Sequence, residues 1–363
     1  MNIRDLIALL NISGIGPSRA RRLIDHFGSP AQAMSASLKD ISQVQDIGPK
    51  TAQNIVESSP DYNFADEQIK KAKDSGAKIM TYWDEDYPPL LKAIFDPPLL
   101  LFIEGDTSII SAPAIAVVGT RLPSQYGAAQ TRKIVAGLVG SGLTIISGMA
   151  RGVDSIAHKA ALESGGKTAA VFGCGLDKTY PPENEKLRKD ICENGAVITE
   201  FPFGTMPNAP NFPQRNRIIS GLSLGTLVIE AGEKSGALIT AKYALDENRE
   251  AFALPGDVNR PQSNGCNKLI REAGAMLVSS HEDILRALEP KLKLKSKPQE
   301  TPNLSLSGAQ LKVYEHINYE PIYIDDLAQN AKISLVEVTT ILFELIMMDA
   351  VRELQGKRYV RYQ

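Results

Sequence analysis

The sequence predicts an α/β protein: a Rossmann-like, mostly parallel sheet core flanked by an N-terminal helical domain and a C-terminal winged-helix-like domain. Three observations predict it. Between residues 114 and 288 short apolar runs alternate with helical patterns, the first sixty residues carry an internal echo suited to helical hairpins, and the last sixty pattern as three helices and a β-hairpin. A length of 363 residues suits two or three domains. The boundaries read as 1–61 (helical), 62–113 (connecting subdomain), 114–288 (Rossmann-like), 289–303 (linker) and 304–363 (winged-helix-like).

In the first domain Ile15-Gly16-Pro17-Ser18-Arg19-Ala20 recurs as Ile47-Gly48-Pro49-Lys50-Thr51-Ala52. Proline suits the first helical position, whose N–H has no partner in any case, and glycine permits a tight turn with exposed backbone N–H groups. The pattern resembles helix-hairpin-helix (SAM-like) modules, which grip a DNA backbone without reading its sequence; a plain helical bundle is the alternative. Arg19, Arg21 and Arg22 make the first hairpin basic, while the second offers little beyond Lys50. From Tyr62 a polar helix runs through Lys73, a short strand follows at Lys78–Thr81, and the pairs Pro88-Pro89 and Pro97-Pro98 mark a connector. Tyr82, Trp83 and Tyr87 are read as pinning it to the larger domain rather than stacking on bases.

Seven strands are expected in the central domain, at Ile115–Val118, Leu143–Ile146, Thr168–Phe172, Ala196–Thr199, Thr226–Ile229, Ala251–Ala253 and Met276–Val278. Their near-continuous apolarity suits strands buried on both faces, and helical patterns such as Gln125–Val139 and Leu238–Asn248 separate them. Lys291, Lys293, Lys295 and Lys297, with Pro298 and Pro302, then read as a solvated linker. Beyond it Leu311, Tyr314 and Ile317 share a helix face, a short helix is expected near Ile324–Gln329, and Ser334 with Glu337 forms a capping box opening a helix to Met348. Two short strands around Gly356-Lys357 close the chain.

With 43% apolar and 23% charged residues the chain can bury sizeable cores, and a net charge of −2 argues against a surface that coats nucleic acid, so any phosphate binding must be local. No apolar run is long enough to span a membrane and the N-terminus lacks a signal-peptide order, so a soluble cytoplasmic protein is expected. Cys174, Cys192 and Cys266 have no paired metal spacing and read as reduced thiols, and His26, His158, His281 and His316 are scattered; neither a metal nor a cofactor is expected.

In a parallel sheet the carboxyl ends of strands and the amino ends of helices line one edge. Phe212–Gly236 brings Arg215, Asn216, Arg217, Glu230, Ser235 and Gly236 towards that edge, its first residues reading as a loop leading into a helix. Gly119-Thr120-Arg121, Ser147-Gly148-Met149-Ala150-Arg151-Gly152 and Gly173-Cys174-Gly175 follow other strands, where backbone N–H groups can approach an anion. Neither a G-x-G-x-x-G nor a G-x-x-x-x-G-K-[ST] run is present. Asp154 and His158, one helical turn apart, read as a helix-start contact rather than a base. Glu230 is suited either to acid or base chemistry or to orienting Arg215 or Arg217; the latter is adopted.

Together with Asp154 after Gly152-Val153, Leu176-Asp177, Tyr180-Pro181, Phe212-Pro213-Gln214, Ile218-Ile219, Glu230-Ala231 and Leu254-Pro255-Gly256, these motifs resemble the DprA/Smf family. The resemblance implies a cytosolic, usually dimeric protein without enzymatic activity, which binds and protects single-stranded DNA and helps load the RecA recombinase during natural transformation. It implies DNA-binding roles for Gly119, Thr120, Arg121, Ser147, Gly148, Arg215, Asn216 and Arg217, with Arg151, Ser235 and Gly236 as further candidates. It also implies self-association through Gly265–Leu277, with Leu269, Ile270 and Leu277; plain core packing is the alternative. A second reading is a nucleotide-processing enzyme, because Gly225-Thr226 followed by Glu230 is similar to the Gly-Thr and Glu of phosphoribohydrolases; the expected preceding glycine pair is missing. A transcriptional regulator is the weakest reading, since the helix Ser334–Met348 carries Glu337 and Glu344 but no Lys or Arg to read base edges. The basic hairpin (Arg352, Lys357, Arg358, Arg361) leaves backbone contact or a protein-binding role open.

Overall fold

The computed structural model describes residues 1–292, 307–317, 322–348, 350–354 and 357–361. The chain divides into two compact units, Met1–Lys293 and Leu294–Gln363.

The first unit is built on nine strands: β1 (Lys78–Thr81), β2 (Leu100–Gly105), β3 (Ala114–Gly119), β4 (Thr144–Ser147), β5 (Thr168–Val171), β6 (Ala196–Thr199), β7 (Gly225–Ile229), β8 (Glu250–Ala253) and β9 (Met276–Leu277). They lie in the order β1-β2-β6-β5-β4-β3-β7-β8-β9. All pairings from β6 to β9 are parallel, whereas β2 runs antiparallel to both β6 and β1. Every strand expected from 114 onwards forms, with ends shifted by a residue or so.

Side chains alternate between two layers, as the strand period requires. Ile115, Val117, Ile145, Leu227 and Phe252 pack with Ile134, Leu138 and Ala157 of the helices Gln125–Gly140 and Val153–Glu163. Ala116, Val118, Ile146 and Val228 face the other way, against Ile218, Ile219, Ala237 and Ala241 of the helices Asn211–Gly221 and Gly236–Asp246.

The 62–113 segment differs from its reading as a connector. It supplies β1 and β2 to the same sheet, with Leu101, Phe102 and Ile103 fully buried. The prolines that suggested a connector stop at Pro98, just outside β2, where no ladder N–H is required of them. Tyr87 is buried and donates its hydroxyl to the Pro98 carbonyl at 2.7 Å, and Tyr82 and Trp83 pack on the core, so these rings do pin the segment.

In the N-terminal helices Gly16 and Gly48 are extended caps, and Pro17 and Pro49 open the helices Pro17–Phe27 and Pro49–Glu57. Leu6, Leu9, Leu23 and Ile55 share a core with Phe102, Phe172 and Phe203, so this layer packs on the sheet domain. Gln68, fully buried, accepts from the Phe203 N–H at 2.7 Å across that contact.

In the second unit the helices Gly308–Tyr314, Ile324–Ala331 and Leu335–Met347 enclose Val313, Leu327, Val338, Leu342 and Leu345. The Ser334–Glu337 capping box is present. The C-terminal pair, β11 (Val351–Leu354) and β12 (Arg358–Arg361), gains a third strand, β10 (Ile322–Tyr323), in the order β10-β12-β11. Most of the linker, Gly356 and the Arg361 side chain lie outside the described residues.

Candidate nucleic-acid interface

The sheet order places a crevice. From β3 the chain adds β4, β5 and β6 on one side and then crosses to add β7, β8 and β9 on the other. The carboxyl ends of β3 and β7 therefore diverge into connections on opposite faces, the place where open α/β sheets bind ligands. A groove of about 720 Å³ opens there, lined by Gly119, Thr120, Arg121, Asp154, Tyr180, Phe212, Arg215, Asn216, Lys234, Ser235 and Gly236, among others.

The turn after β3 has to be glycine at its first position, because a Cβ on Gly119 would collide with the Ile229 carbonyl and the Val153 side chain. This lets β3 and β7 end side by side and brings Thr120 and Arg121 to the rim. Across the groove Ser235 caps the helix Gly236–Asp246, its hydroxyl accepting from the Ala237 N–H at 3.3 Å, so that this helix's positive end faces the opening. Asn216 is tied to it through the Gly236 carbonyl at 3.4 Å. Arg121 and Lys234 are exposed, and their side chains make no hydrogen bond or ion pair among the described residues.

The two helix arginines, Arg215 and Arg217, behave differently. Phe212–Arg217 belongs to the helix Asn211–Gly221, not to a loop. Arg215 is 4% exposed. One Nη donates to the Gly148 carbonyl at 2.9 Å and also to that of Val171, while Nε is buried without a partner. Burial lowers its pKa to about 10, with Asp154 working in the opposite direction. It forms part of the groove floor, the guanidinium lying near the Phe212 ring. Arg217, 5% exposed, lies outside the groove lining and pairs with Glu200 at 2.6 Å and Asp96 at 3.5 Å. Burial works against its charge, but the two carboxylates outweigh it and hold the guanidinium protonated.

Three more candidates have structural partners. Ser147 is buried and donates to the Val117 carbonyl at 2.7 Å, tying β4 to β3. Gly148 leaves the space that the Arg215 guanidinium fills. Arg151 is exposed, outside the groove lining, and forms a two-pronged pair with Glu183, one contact at 3.0 Å.

Glu230 orients neither arginine. Its carboxylate accepts from the Ser124 N–H at 2.7 Å and from the Ser124 hydroxyl, capping the helix Gln125–Gly140, and fills the space beside Gly127. Asp154 accepts from the Ala150 N–H at 3.3 Å at its helix start, and burial raises its carboxyl pKa to about 6, opposed by Arg215. His158 turns to Thr168, with Nδ1 at 2.7 Å from the hydroxyl, and burial lowers its pKa to about 3. Among the described residues no group of three or more His, Cys, Asp or Glu side chains is placed to hold a metal ion, and no helix is long and apolar enough to cross a membrane.

Two groove features escaped the sequence reading. Lys234 sits one residue before Ser235-Gly236, and its position in that turn was the available signal. Tyr180 and Phe212 meet with ring centroids 5.4 Å apart on the groove wall, a contact between residues 32 apart that no local pattern announces. Of the self-association candidates, Leu269 and Ile270 are half-buried against the core, whereas Leu277 on the edge strand β9 is 48% exposed.

A family model described as DNA recombination-mediator protein A matches residues 78–289, more than half of the chain. The chain belongs to this family, DprA/Smf. Residues 6–59 match a SAM-like helix-hairpin-helix tandem and residues 297–357 a DprA winged helix domain, in keeping with the three-part fold. Protein Smf of Synechocystis sp. is 34% identical, covering 98% of each chain. Among solved structures, DNA processing protein A from Streptococcus pneumoniae is similar at 36% identity and a TM-score of 0.69, over 79% of this chain and 98% of that one. DNA processing protein A from Helicobacter pylori, described for its single-stranded DNA binding mode, is similar at 31% identity and a TM-score of 0.54, over 60% of this chain and 98% of that one.

Proposed function

We propose that this chain binds single-stranded DNA in the groove at the ends of β3 and β7, protects it, and helps load the RecA recombinase in homologous recombination and natural transformation. It acts in the cytoplasm as a homodimer and catalyses no reaction of its own. The observation that carries the reading is the groove itself, in which the partnerless Arg121 and Lys234 stand beside backbone N–H groups and the Tyr180–Phe212 pair. Cations that follow phosphates and rings that take unstacked bases are what sequence-tolerant single-strand binding requires. The H. pylori relative's described binding mode supports the same ligand. The enzymatic alternative loses its main residue, because the Glu230 carboxylate is engaged at a helix start.

A salt series of binding to single-stranded and duplex oligonucleotides tests this: single strands should bind more tightly, with affinity falling steeply as salt rises. Equal affinity for both, or salt-independent binding, would overturn it. Recombinase loading is checked by nucleation of RecA filaments on strands already covered by single-strand-binding protein, which this chain should accelerate. Leu277→Glu should convert the dimer to a monomer in a sizing measurement, since it places a charge on the exposed apolar edge of β9. A dimer that survives it would locate self-association elsewhere.

A further inference from the structure

A second cavity, of about 470 Å³, lies beside the groove, where β7 and β8 end. It is lined by Tyr126, Glu230, Pro255, Gly256, Asp257, Arg260 and Ser263. The divider between the two cavities is the short loop from Thr120 to Ser124, which wraps round Glu230: the Thr120 N–H donates to its main-chain carbonyl at 2.7 Å and the Ser124 N–H to its carboxylate at 2.7 Å. Arg121 and Leu122 stand on this divider, Leu122 being 82% exposed.

The second cavity shares two features with the first, an aromatic ring in the lining and an exposed cation. Tyr126 is 44% exposed, its hydroxyl donating to the Pro255 carbonyl at 3.3 Å, which holds the ring at the mouth. Arg260 is exposed and its side chain has no hydrogen bond or ion pair among the described residues. Two carboxylates also line the cavity: Glu230, 4% exposed, has its oxygens turned to Ser124, and Asp257 accepts from the Asn259 N–H at 2.8 Å, so neither forms an ion pair with Arg260. A partnerless cation beside a fixed, half-exposed aromatic ring suits one more segment of a single strand, with phosphate at Arg260 and a base on Tyr126.

We infer that the bound strand leaves the groove over Arg121 and Leu122 and continues into the Tyr126–Arg260 cavity, which is a second single-strand subsite. The inference rests on the proposed single-strand binding in the groove. A strand long enough to fill both cavities gains the second set of contacts, and a short one held in the groove alone does not.

The test compares oligothymidylates of about six and about twenty nucleotides, one near the lower end of common single-strand site sizes and one beyond the upper end, binding to the full-length chain by fluorescence anisotropy. Tyr126→Ala and Arg260→Ala should each weaken binding of the long strand by about three- to tenfold while leaving the short strand within about twofold. Arg260→Ala should also lower the salt slope for the long strand by about 0.7, the value for one phosphate contact on a single strand. Tyr126→Phe, which keeps the ring but loses the bond to the Pro255 carbonyl, should retain more long-strand binding than Tyr126→Ala and leave the short strand within about twofold. Long-strand binding unchanged in both alanine variants, or an equal loss at both lengths, would overturn the second subsite while leaving the groove intact. Failure of the wild-type chain to bind either length would instead overturn the proposed function, and this extension with it.

Discussion

The rim of the groove and the helix beneath it carry the same side-chain chemistry in opposite settings. At the rim Arg121 and Lys234 stand in water without a protein partner. On the helix Asn211–Gly221 the guanidinium of Arg215 is bonded to carbonyls of other segments and that of Arg217 to two carboxylates, and both are buried. A cation that must meet a mobile, hydrated polyanion has to keep its own hydration and lack an internal partner; a cation taken out of water has to be given one. The difference divides these cations into those free to meet the proposed single strand and those that hold the fold.

The most direct way to break this division is at Arg217. Arg217→Ala leaves Glu200 buried and unpaired, so chemical denaturation should show a loss of about 3–5 kcal/mol, typical of breaking a buried pair by removing one partner. A loss within the roughly 0.5 kcal/mol range of ordinary surface changes would show that the pair does not hold the helix.

Asp154, next to Arg215 on the buried side, should make stability depend on pH. Its carboxyl pKa is raised to about 6 by burial, so between the ordinary carboxylate value and about 6 the folded chain keeps a proton that the unfolded chain has lost. Stability therefore falls as pH rises through that window. A shift of this size is worth about 2–3 kcal/mol. Measured against Asp154→Asn, the wild type should lose about that much unfolding free energy between about pH 4 and about pH 7. A constant difference between the two across the window would mean that the carboxyl is not desolvated.

At the rim the expected effect is on binding and not on stability: Arg121→Ala with Lys234→Ala should weaken single-strand binding about tenfold, the two phosphate contacts being lost together. The smallest effect is expected at Arg151. It is exposed and already paired with Glu183, so Arg151→Ala should leave stability essentially unchanged. Strand affinity should stay within about twofold, since a cation with an ion-pair partner has less to offer a phosphate. A larger loss of affinity in the anisotropy assay would extend the interface to this side of the sheet.

Much of this arrangement was legible in the residues. Unbroken β-branched runs separated by helical patterns located the parallel strands, and the glycine-rich strand ends pointed to the sheet edge where the groove opens. What was not legible was direction. Arg215 and Arg217 are two residues apart on a helix, about 200° around its axis, and only the positions of Gly148, Glu200 and Asp96, brought from other parts of the chain, decide what each guanidinium meets. Glu230 misled for the same reason, since its partner Ser124 lies 106 residues away. β2 was overlooked because flanking prolines outweighed an apolar run whose partner β6 lies far along the chain.

The claim that the rim cations hold the strand is tested most directly by the salt dependence of single-strand affinity for the wild type and for the Arg121→Ala, Lys234→Ala double variant. The slope of log affinity against log salt should fall in magnitude by about 1.4, two contacts at about 0.7 each, with the unfolding free energy unchanged within about 0.5 kcal/mol. An unchanged slope in a fully folded double variant would contradict it.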